Sequence, residues 1–216
     1  MSNPLPPHGG QPRLTVGAPL ATARAAMILI HGRGAWAAGI IGLADAFDCD
    51  DVHYVAPNAL GGTWYPTSFM SPLALNEPGI SSGISVVHGL IDELVAAGVP
   101  EKKIVLCGFS QGACLASTSA QRRPRRYGGV LAFSGGLIGP PGMSWDESGD
   151  FAGMPAFFGC SDVDPHIPET RVRETAALVE RMGASVTTRI YRGMAHTVNE
   201  DEVQFGRELL ATIAAD

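Results

Sequence analysis

The chain has 216 residues, of which 45% are hydrophobic and 17% charged, so it can bury the core of one ordinary globular domain without disulfide or metal staples. Its formal net charge of −6 argues against nucleic acid or an anionic membrane as the main partner. The longest apolar run near the N-terminus covers only residues 25–30, too few to cross a bilayer, and we expect no stable membrane insertion.

Residues 1–24 are rich in proline and glycine and contain no apolar segment typical of a secretory signal. We expect them to form a loose N-terminal tail, or an edge strand around residues 13–16. The four cysteines lack the density and the spacing of a disulfide framework or a zinc site; they are Cys49, Cys107, Cys114 and Cys160. We interpret Cys107 and Cys114 as small buried hydrophobic residues with free thiols. We therefore expect a cytoplasmic protein that binds no metal.

From residue 25 onward, short apolar runs alternate with longer segments of helical periodicity. The runs predict strands over residues 25–30, 52–56, 104–109, 130–133, 154–158 and 186–191. The periodic segments predict helices over residues 36–47, 82–97, 111–121, 168–182 and 199–214. Several runs are apolar at successive positions, as in strands covered on both faces. This alternation predicts one α/β domain over residues 25–216, with a mostly parallel sheet and helices on both faces.

Two segments between these elements are irregular. Residues 58–82 contain several glycines and prolines, and a loop that long inside a compact domain is usually functional or mobile. Its larger apolar side chains are candidates for the wall of a substrate site, with plain packing within the loop as the alternative; they are Trp64, Tyr65, Phe69 and Met70. The second segment, residues 135–153, is expected at the same edge of the sheet. Neither leaves room for a separate cap domain.

Gly108-Phe109-Ser110-Gln111-Gly112 is a G-x-S-x-G pentapeptide between a predicted buried strand and a predicted helix. A serine on such a sharp strand-to-helix turn presents its hydroxyl at the carboxyl edge of the sheet, where open α/β sheets bind ligands. The sequence therefore predicts that Ser110 is a nucleophile. The alternative is a serine that only caps the helix.

A nucleophilic serine requires a base, most often a histidine oriented by a carboxylate. His196 follows the last predicted strand after a Gly193-Met194-Ala195 bend and precedes the last helix, which predicts a position at the same sheet edge as Ser110. His31 lies in an Ile-His-Gly turn and is interpreted as structural. We assign no catalytic role to the other histidines, which are His8, His53, His88 and His166.

The orienting acid is expected in the loop after the penultimate strand, because in this arrangement the order along the chain is Ser, acid, His. Two aspartates lie there. Asp164 precedes a proline, which holds its backbone extended. Asp162 is nearer the strand end and could instead hold the turn through its side chain. Spacing along the chain favours Asp164 only slightly as the orienting acid and leaves Asp162 open as the alternative.

A second oxyanion donor is expected from the loop after an early strand. The segment Ile30-His31-Gly32-Arg33-Gly34 is an apolar strand that enters a glycine-flanked turn. We predict that the backbone amides of Arg33 and Gln111 form an oxyanion hole. The Arg33 side chain could also meet an anionic or carbonyl group of a substrate, or it could be a plain exposed loop arginine.

Together these segments resemble the phospholipase/carboxylesterase family of small α/β-hydrolases, which includes acyl-protein thioesterases and bacterial carboxylesterases. The resemblance covers the chain from about residue 25 to its end and rests on His31-Gly32-x-Gly34, Gly108-Phe109-Ser110-Gln111-Gly112, Asp162-x-Asp164-Pro165-x-Ile167-Pro168 and Tyr191-x-Gly193-Met194-x-His196. It implies an α/β-hydrolase fold, Asp164 as the triad acid, oxyanion amides from Arg33 and Gln111, and neither a metal nor an organic cofactor.

Two departures bear on the substrate. Arg33 stands where the thioesterases often have leucine, and the segment Gly61-Gly62-Thr63-Trp64-Tyr65-Pro66 differs from their equivalent loop. Both favour a serine carboxylesterase that acts on small to medium esters. The alternatives are an acyl thioesterase or lysophospholipase acting on longer chains, and a non-catalytic binding module that keeps the fold.

Four arginines follow the helix that leaves the nucleophile: Arg122, Arg123, Arg125 and Arg126. They could form an anion-binding patch, although basic residues after a helix more often are a solvated end that suits the helix dipole. Apolar residues at a pocket rim could also serve a homodimer contact.

Overall fold

The computed structural model describes residues 5–215. Within this range seven strands form one sheet: β1 Arg13–Gly17, β2 Ala25–Ile30, β3 Val52–Pro57, β4 Ile104–Phe109, β5 Gly129–Phe133, β6 Pro155–Ser161 and β7 Ser185–Tyr191. Their spatial order is β1-β3-β2-β4-β5-β6-β7. Strands β2 to β7 run parallel to their neighbours, whereas β1 pairs antiparallel with β3 at the edge. The predicted mostly parallel sheet is confirmed.

Among the described residues, six helices cover the sheet: α1 Ala37–Ile40, α2 Leu43–Phe47, α3 Gly79–Ala96, α4 Gln111–Arg122, α5 Glu169–Arg181 and α6 Glu200–Ala215. Helices α3, α4 and α5 pack on one face and α1, α2 and α6 on the other. Strand β2 shows how the core divides, since Ala26 and Ile28 belong to the first layer, Met27 and Leu29 to the second, and all four are fully buried. Burial on both faces explains its uninterrupted apolar sequence.

Two predicted helix boundaries were wrong. The helix expected over residues 36–47 is divided into α1 and α2, and the turn between them includes Gly42, a residue that disfavours helix interiors. Helix α3 begins at Gly79 rather than at residue 82, because Asn76 and Glu77 accept hydrogen bonds from its first turn. The segment expected to be irregular is therefore shorter and also contains two 3₁₀ turns, Leu60–Gly62 and Leu73–Leu75.

The two longest connections join β3 to α3 and β5 to β6. The backbone N–H of Gly139 in the second donates to the carbonyl of Phe69 in the first at 2.9 Å, so the two connections touch. Within residues 5–215 no further domain is inserted between the elements of the sheet. Helix α3 has the length and apolar composition of a membrane span, but 56% of it is buried inside the fold, as in a core helix.

Candidate active site

Ser110 lies on the turn between β4 and α4 with φ 56° and ψ −119°, a backbone conformation that residues other than glycine rarely adopt. Its backbone N–H donates to the carbonyl of Phe133 at 2.9 Å. A Cβ on Gly112 would overlap the carbonyl of Ile30, and a Cβ on Gly108 would overlap the backbone of Gly112. The two glycines therefore let the strand and the helix approach closely enough to hold the strained serine.

His196 lies beyond the end of β7, and its ring joins Ser110 to Asp164. The Nε2 atom is 2.8 Å from Ser110 Oγ, and the Nδ1 atom is 2.6 Å from Asp164 Oδ2. The His196 side chain is 18% exposed and that of Asp164 fully buried, so water reaches the serine end of this chain of hydrogen bonds but not the acid end. The structure brings together all three side chains that the sequence singled out.

The second oxygen of Asp164 accepts hydrogen bonds from the backbone N–H groups of His166, at 2.8 Å, and Ile167, at 3.0 Å. Burial raises the pKa of this carboxyl, but the hydrogen bonds from His196 and from the two amides outweigh burial and hold the pKa below its ordinary value. Asp164 is therefore ionised at neutral pH and can stabilise a positively charged imidazole.

Asp162 has a different partner, although spacing left it open as the acid. Its Oδ1 accepts a hydrogen bond from the backbone N–H of Gly193 at 2.8 Å. Gly193 has φ 63° and forms part of the bend before His196. Of the two aspartates, Asp164 contacts the histidine and Asp162 holds the loop that carries it.

Two backbone amides next to Ser110 lack a protein acceptor. Within residues 5–215, neither the N–H of Arg33, just after β2, nor that of Gln111, the first residue of α4, donates to another protein group. Both residues line the cleft at Ser110. A helix N-terminus favours negative charge, so this pair of donors suits an oxyanion.

The Gln111 side chain has a structural task that sequence analysis missed. Its Oε1 accepts from the backbone N–H of Trp64 at 2.9 Å, and its Nε2 donates to the carbonyl of Tyr65 at 2.8 Å. These bonds fasten the segment between β3 and α3 to the nucleophile turn. No local pattern signals a contact between residues so far apart in the chain.

The cleft above Ser110 has a volume of about 480 Å³ and opens to solvent. Of the four side chains predicted to line it, Tyr65 and Phe69 do. Trp64 and Met70 are not among the residues that line it. Trp64 is fully buried behind the cleft, where its Nε1 donates to the carbonyl of His31 at 3.0 Å, and Met70 packs against the core.

Several lining residues were not predicted; among them are Phe109, Thr67, Cys114, His166 and Ile167. The rings of Phe109 and His166 pack against His196 at centroid distances of 4.8 and 4.9 Å. His166, to which the sequence assigned no catalytic role, therefore lies at the site. The position of His166 two residues after Asp164 could have indicated this placement.

His31 has the structural position that was expected. Its Nδ1 lies 2.8 Å from the carbonyl of Gly32, and its Nε2 accepts from the backbone N–H of Ala59 at 3.1 Å. His8 is also buried, and its ring connects the carbonyl of Trp64 to the N–H of Leu60. Both rings therefore brace the segment that forms one wall of the cleft.

The thiols are free, as expected, and Cys107, Cys114 and Cys160 are buried. Burial raises the pKa of the Cys114 thiol to about 11, so this cleft residue is neutral. The four arginines at the end of α4 and just beyond it do not form one unpaired patch, because Arg123 pairs with Asp92 at 2.6 Å.

Known proteins resemble this chain over most of its length. The family model described as phospholipase/carboxylesterase matches residues 12–214. The chain is 29% identical to acyl-protein thioesterase 1 of Eremothecium gossypii, with 82% of this chain and 83% of that protein covered. It is 28% identical to a probable carboxylesterase of Oryza sativa subsp. japonica, with 92% and 82% covered.

Among solved structures, a phospholipase/carboxylesterase from Dyadobacter fermentans DSM 18053 is 38% identical, with a TM-score of 0.89 and coverage of 98% of this chain and 99% of that one. The structure of esterase PE8 shares the fold with a TM-score of 0.73 at 23% identity. The expected resemblance is confirmed, and the chain belongs to the phospholipase/carboxylesterase family of α/β-hydrolases.

Proposed function

We propose that the protein is a serine carboxylesterase that hydrolyses small to medium carboxylic esters. The observation that carries this proposal is the position of His196, whose two ring nitrogens lie 2.8 Å from Ser110 Oγ and 2.6 Å from Asp164 Oδ2. A hydroxyl bonded to a histidine that is itself held by a buried carboxylate is the arrangement of an activated nucleophile.

In the proposed reaction, Ser110 Oγ attacks the ester carbonyl while His196 Nε2 takes its proton. The amides of Arg33 and Gln111 donate to the oxyanion of the tetrahedral intermediate. His196 then gives the proton to the leaving alcohol, and an acyl-serine forms. Water attacks this acyl group with His196 again as the base, which releases the acid and restores Ser110.

The shape of the cleft supports the proposed range of substrates. Its volume of about 480 Å³ lies in the lower half of the range common for ligand sites. Tyr65, Phe69 and Ile167 provide apolar surface near Ser110. The cleft is open, so an ester can enter without movement of a cap.

Replacement of the nucleophile tests the proposal. Ser110→Ala should lower kcat for p-nitrophenyl butyrate by about 10⁴-fold or more. Ser148→Ala, a matched change at an exposed position, should leave kcat unaltered. If Ser110→Ala kept more than a few per cent of the activity, the assignment would be wrong.

The alternative is hydrolysis of longer acyl chains, as thioesters or lysophospholipids. Relatives named acyl-protein thioesterase 1 favour it, as in Eremothecium gossypii. An activity profile that peaks beyond about ten acyl carbons would support this alternative, whereas a peak at shorter chains would support the esterase.

A further inference from the structure

We propose that the cleft selects esters that carry a carboxylate, and that the guanidinium of Arg33 binds it. This inference rests on the proposed esterase function and names the substrate class of the same site. The charge of the cleft differs from that of the chain as a whole.

The chain has 21 acidic and 15 basic residues. Yet the described residues that line the cleft include Arg33, His166 and His196 and no aspartate or glutamate. The side chain of Asp164 lies behind His196, fully buried and bonded to it. A ligand in the cleft therefore meets the Arg33 guanidinium, two histidine rings and backbone amides but no exposed carboxylate, a setting that favours an anion.

The Arg33 guanidinium is held in place rather than loose. It donates to the carbonyls of Pro66, at 2.8 Å, and Thr67, at 2.5 Å, and lies 5.9 Å from the centre of the Tyr65 ring. These contacts fix the side chain before a ligand arrives, which reduces the entropy lost on binding.

The same guanidinium has unused binding capacity. It carries five N–H donors, and the two carbonyl bonds leave others free. Within residues 5–215 no carboxylate lies within 4.0 Å of it, unlike the guanidinium of Arg13, which pairs with Glu93. Arg33 is exposed at the rim. A fixed, unneutralised guanidinium with free N–H groups suits the planar carboxylate.

The place of Arg33 in the chain limits where the carboxylate can be. Its backbone amide is one of the two proposed oxyanion donors, so its guanidinium lies within one side-chain length of the ester carbonyl. The carboxylate must therefore be a few atoms from the scissile bond, on either the acyl or the alcohol part. Both cases present the same group to Arg33.

Two pairs of esters distinguish these cases. For the acyl part, p-nitrophenyl hemiglutarate is compared with neutral p-nitrophenyl valerate. For the alcohol part, the butyrate ester of p-hydroxybenzoate is compared with that of p-hydroxybenzamide. The wild-type protein should show a kcat/KM at least about tenfold higher for the charged member of one pair. This preference should weaken as ionic strength rises from about 0.01 M to about 1 M.

Variants of Arg33 test whether its guanidinium causes the preference for the charged ester. Arg33→Met, and Arg33→Gln as a second variant, should reduce the charged-to-neutral ratio about tenfold in the pair that shows it. Because the result is a ratio, any general loss of activity cancels. Arg125→Met removes the same charge from an exposed arginine whose guanidinium, among the described residues, bonds only the carbonyl of Pro124, and it should keep the wild-type ratio.

The outcomes separate this inference from the proposed function. Ser110-dependent hydrolysis of the neutral esters with a ratio at or below one in both pairs would overturn the inference and keep the esterase. An equal fall in the ratio for Arg125→Met would overturn the role of Arg33. Failure to hydrolyse all four esters, with no labelling of Ser110 by a fluorophosphonate, would overturn both.

Discussion

The carboxylate of Asp162 accepts a hydrogen bond from the backbone N–H of Gly193 at 2.8 Å and so joins the loop after β6 to the bend that precedes His196. Asp164, two residues later, bonds the ring of His196 itself. One short loop thus fixes both the position of the histidine backbone and the orientation of its ring. The two carboxylates have different tasks, and their replacements should have different effects.

Asp164→Asn should lower kcat by about 10⁴-fold, because an amide neither holds the imidazole in the right tautomer nor stabilises its charged form. Asp162→Ala should lower kcat by about tenfold, since it loosens the bend without touching the ring. Asp162→Asn keeps an oxygen for the N–H of Gly193 and should recover most of the activity. Steady-state kinetics with p-nitrophenyl butyrate measure all three. An equal loss in Asp162→Asn and Asp164→Asn would contradict this division.

Gly112→Ala should destabilise the protein by several kcal/mol, since the added Cβ would overlap the carbonyl of Ile30 where α4 crosses β2. Gly39→Ala is the matched control. Gly39 also lies in a helix, and a Cβ there would meet no atom within 4 Å, so the control should be neutral or stabilising by up to about 1 kcal/mol. Urea unfolding measures both free energies. Similar values for the two variants would show that close approach at the turn is not required.

Glu202 is a buried carboxyl near the site, in the first turn of α6. Its Oε2 accepts from the backbone N–H of Asn199, and Asn199 Oδ1 accepts from the N–H of Glu202. This reciprocal pair is a capping box three residues after His196. Burial raises the pKa of Glu202 to about 7, although the hydrogen bond from Asn199 opposes the shift. Its Oε1 lacks a hydrogen-bond partner among the described residues.

A carboxyl whose pKa is higher in the folded than in the unfolded chain binds more protons when folded. The contribution of Glu202 to the free energy of unfolding should therefore fall as pH rises from about 4.5 to about 7 and level off above that range. Glu202→Gln keeps the oxygen that accepts from Asn199 and cannot ionise. Its free energy of unfolding relative to wild type should increase through this window, by about 3 kcal/mol in total. Urea unfolding across the range tests this, and parallel pH profiles for the two proteins would refute it.

Arg171 is 1% exposed, and its guanidinium donates to the carbonyls of Leu137, at 2.9 Å, and Gly139, at 2.7 Å. Arg171→Leu would leave two buried carbonyls unpaired and should cost about 3 kcal/mol. Arg173→Leu, two residues along the same helix, removes an exposed pair with Glu169 and should cost less than about 1 kcal/mol. The difference between their urea-unfolding free energies checks the role of Arg171. A cost for Arg173→Leu as large as for Arg171→Leu would count against it.

Structural features that are determined by residues adjacent in the chain were predictable from the sequence. Buried parallel strands show as uninterrupted apolar runs, so β2 was expected at its observed bounds. The turn at Ser110 follows from a strand, two glycines and a helix within a few residues. The bend before His196 has its glycine at the position that requires a positive φ. In each case the determining atoms belong to residues adjacent in the chain.

Features that depend on distant residues were not predictable. Trp64 and Tyr65 are neighbours with similar side chains, but only Tyr65 lines the cleft, because the Trp64 ring packs against His31 and His8. Glu202, in the first turn of α6, is buried against β6, which its place at a helix N-terminus did not indicate. Which face of a segment is covered is decided by elements far away in sequence.

Covalent labelling tests whether His196 activates Ser110. The purified protein is incubated with a fluorophosphonate, and its intact mass is read before the adduct is mapped. We expect one adduct per chain on Ser110 and none on folded His196→Ala within the same time. If the folded wild-type protein forms no adduct, or if Ser110 reacts equally fast without His196, then His196 does not activate Ser110.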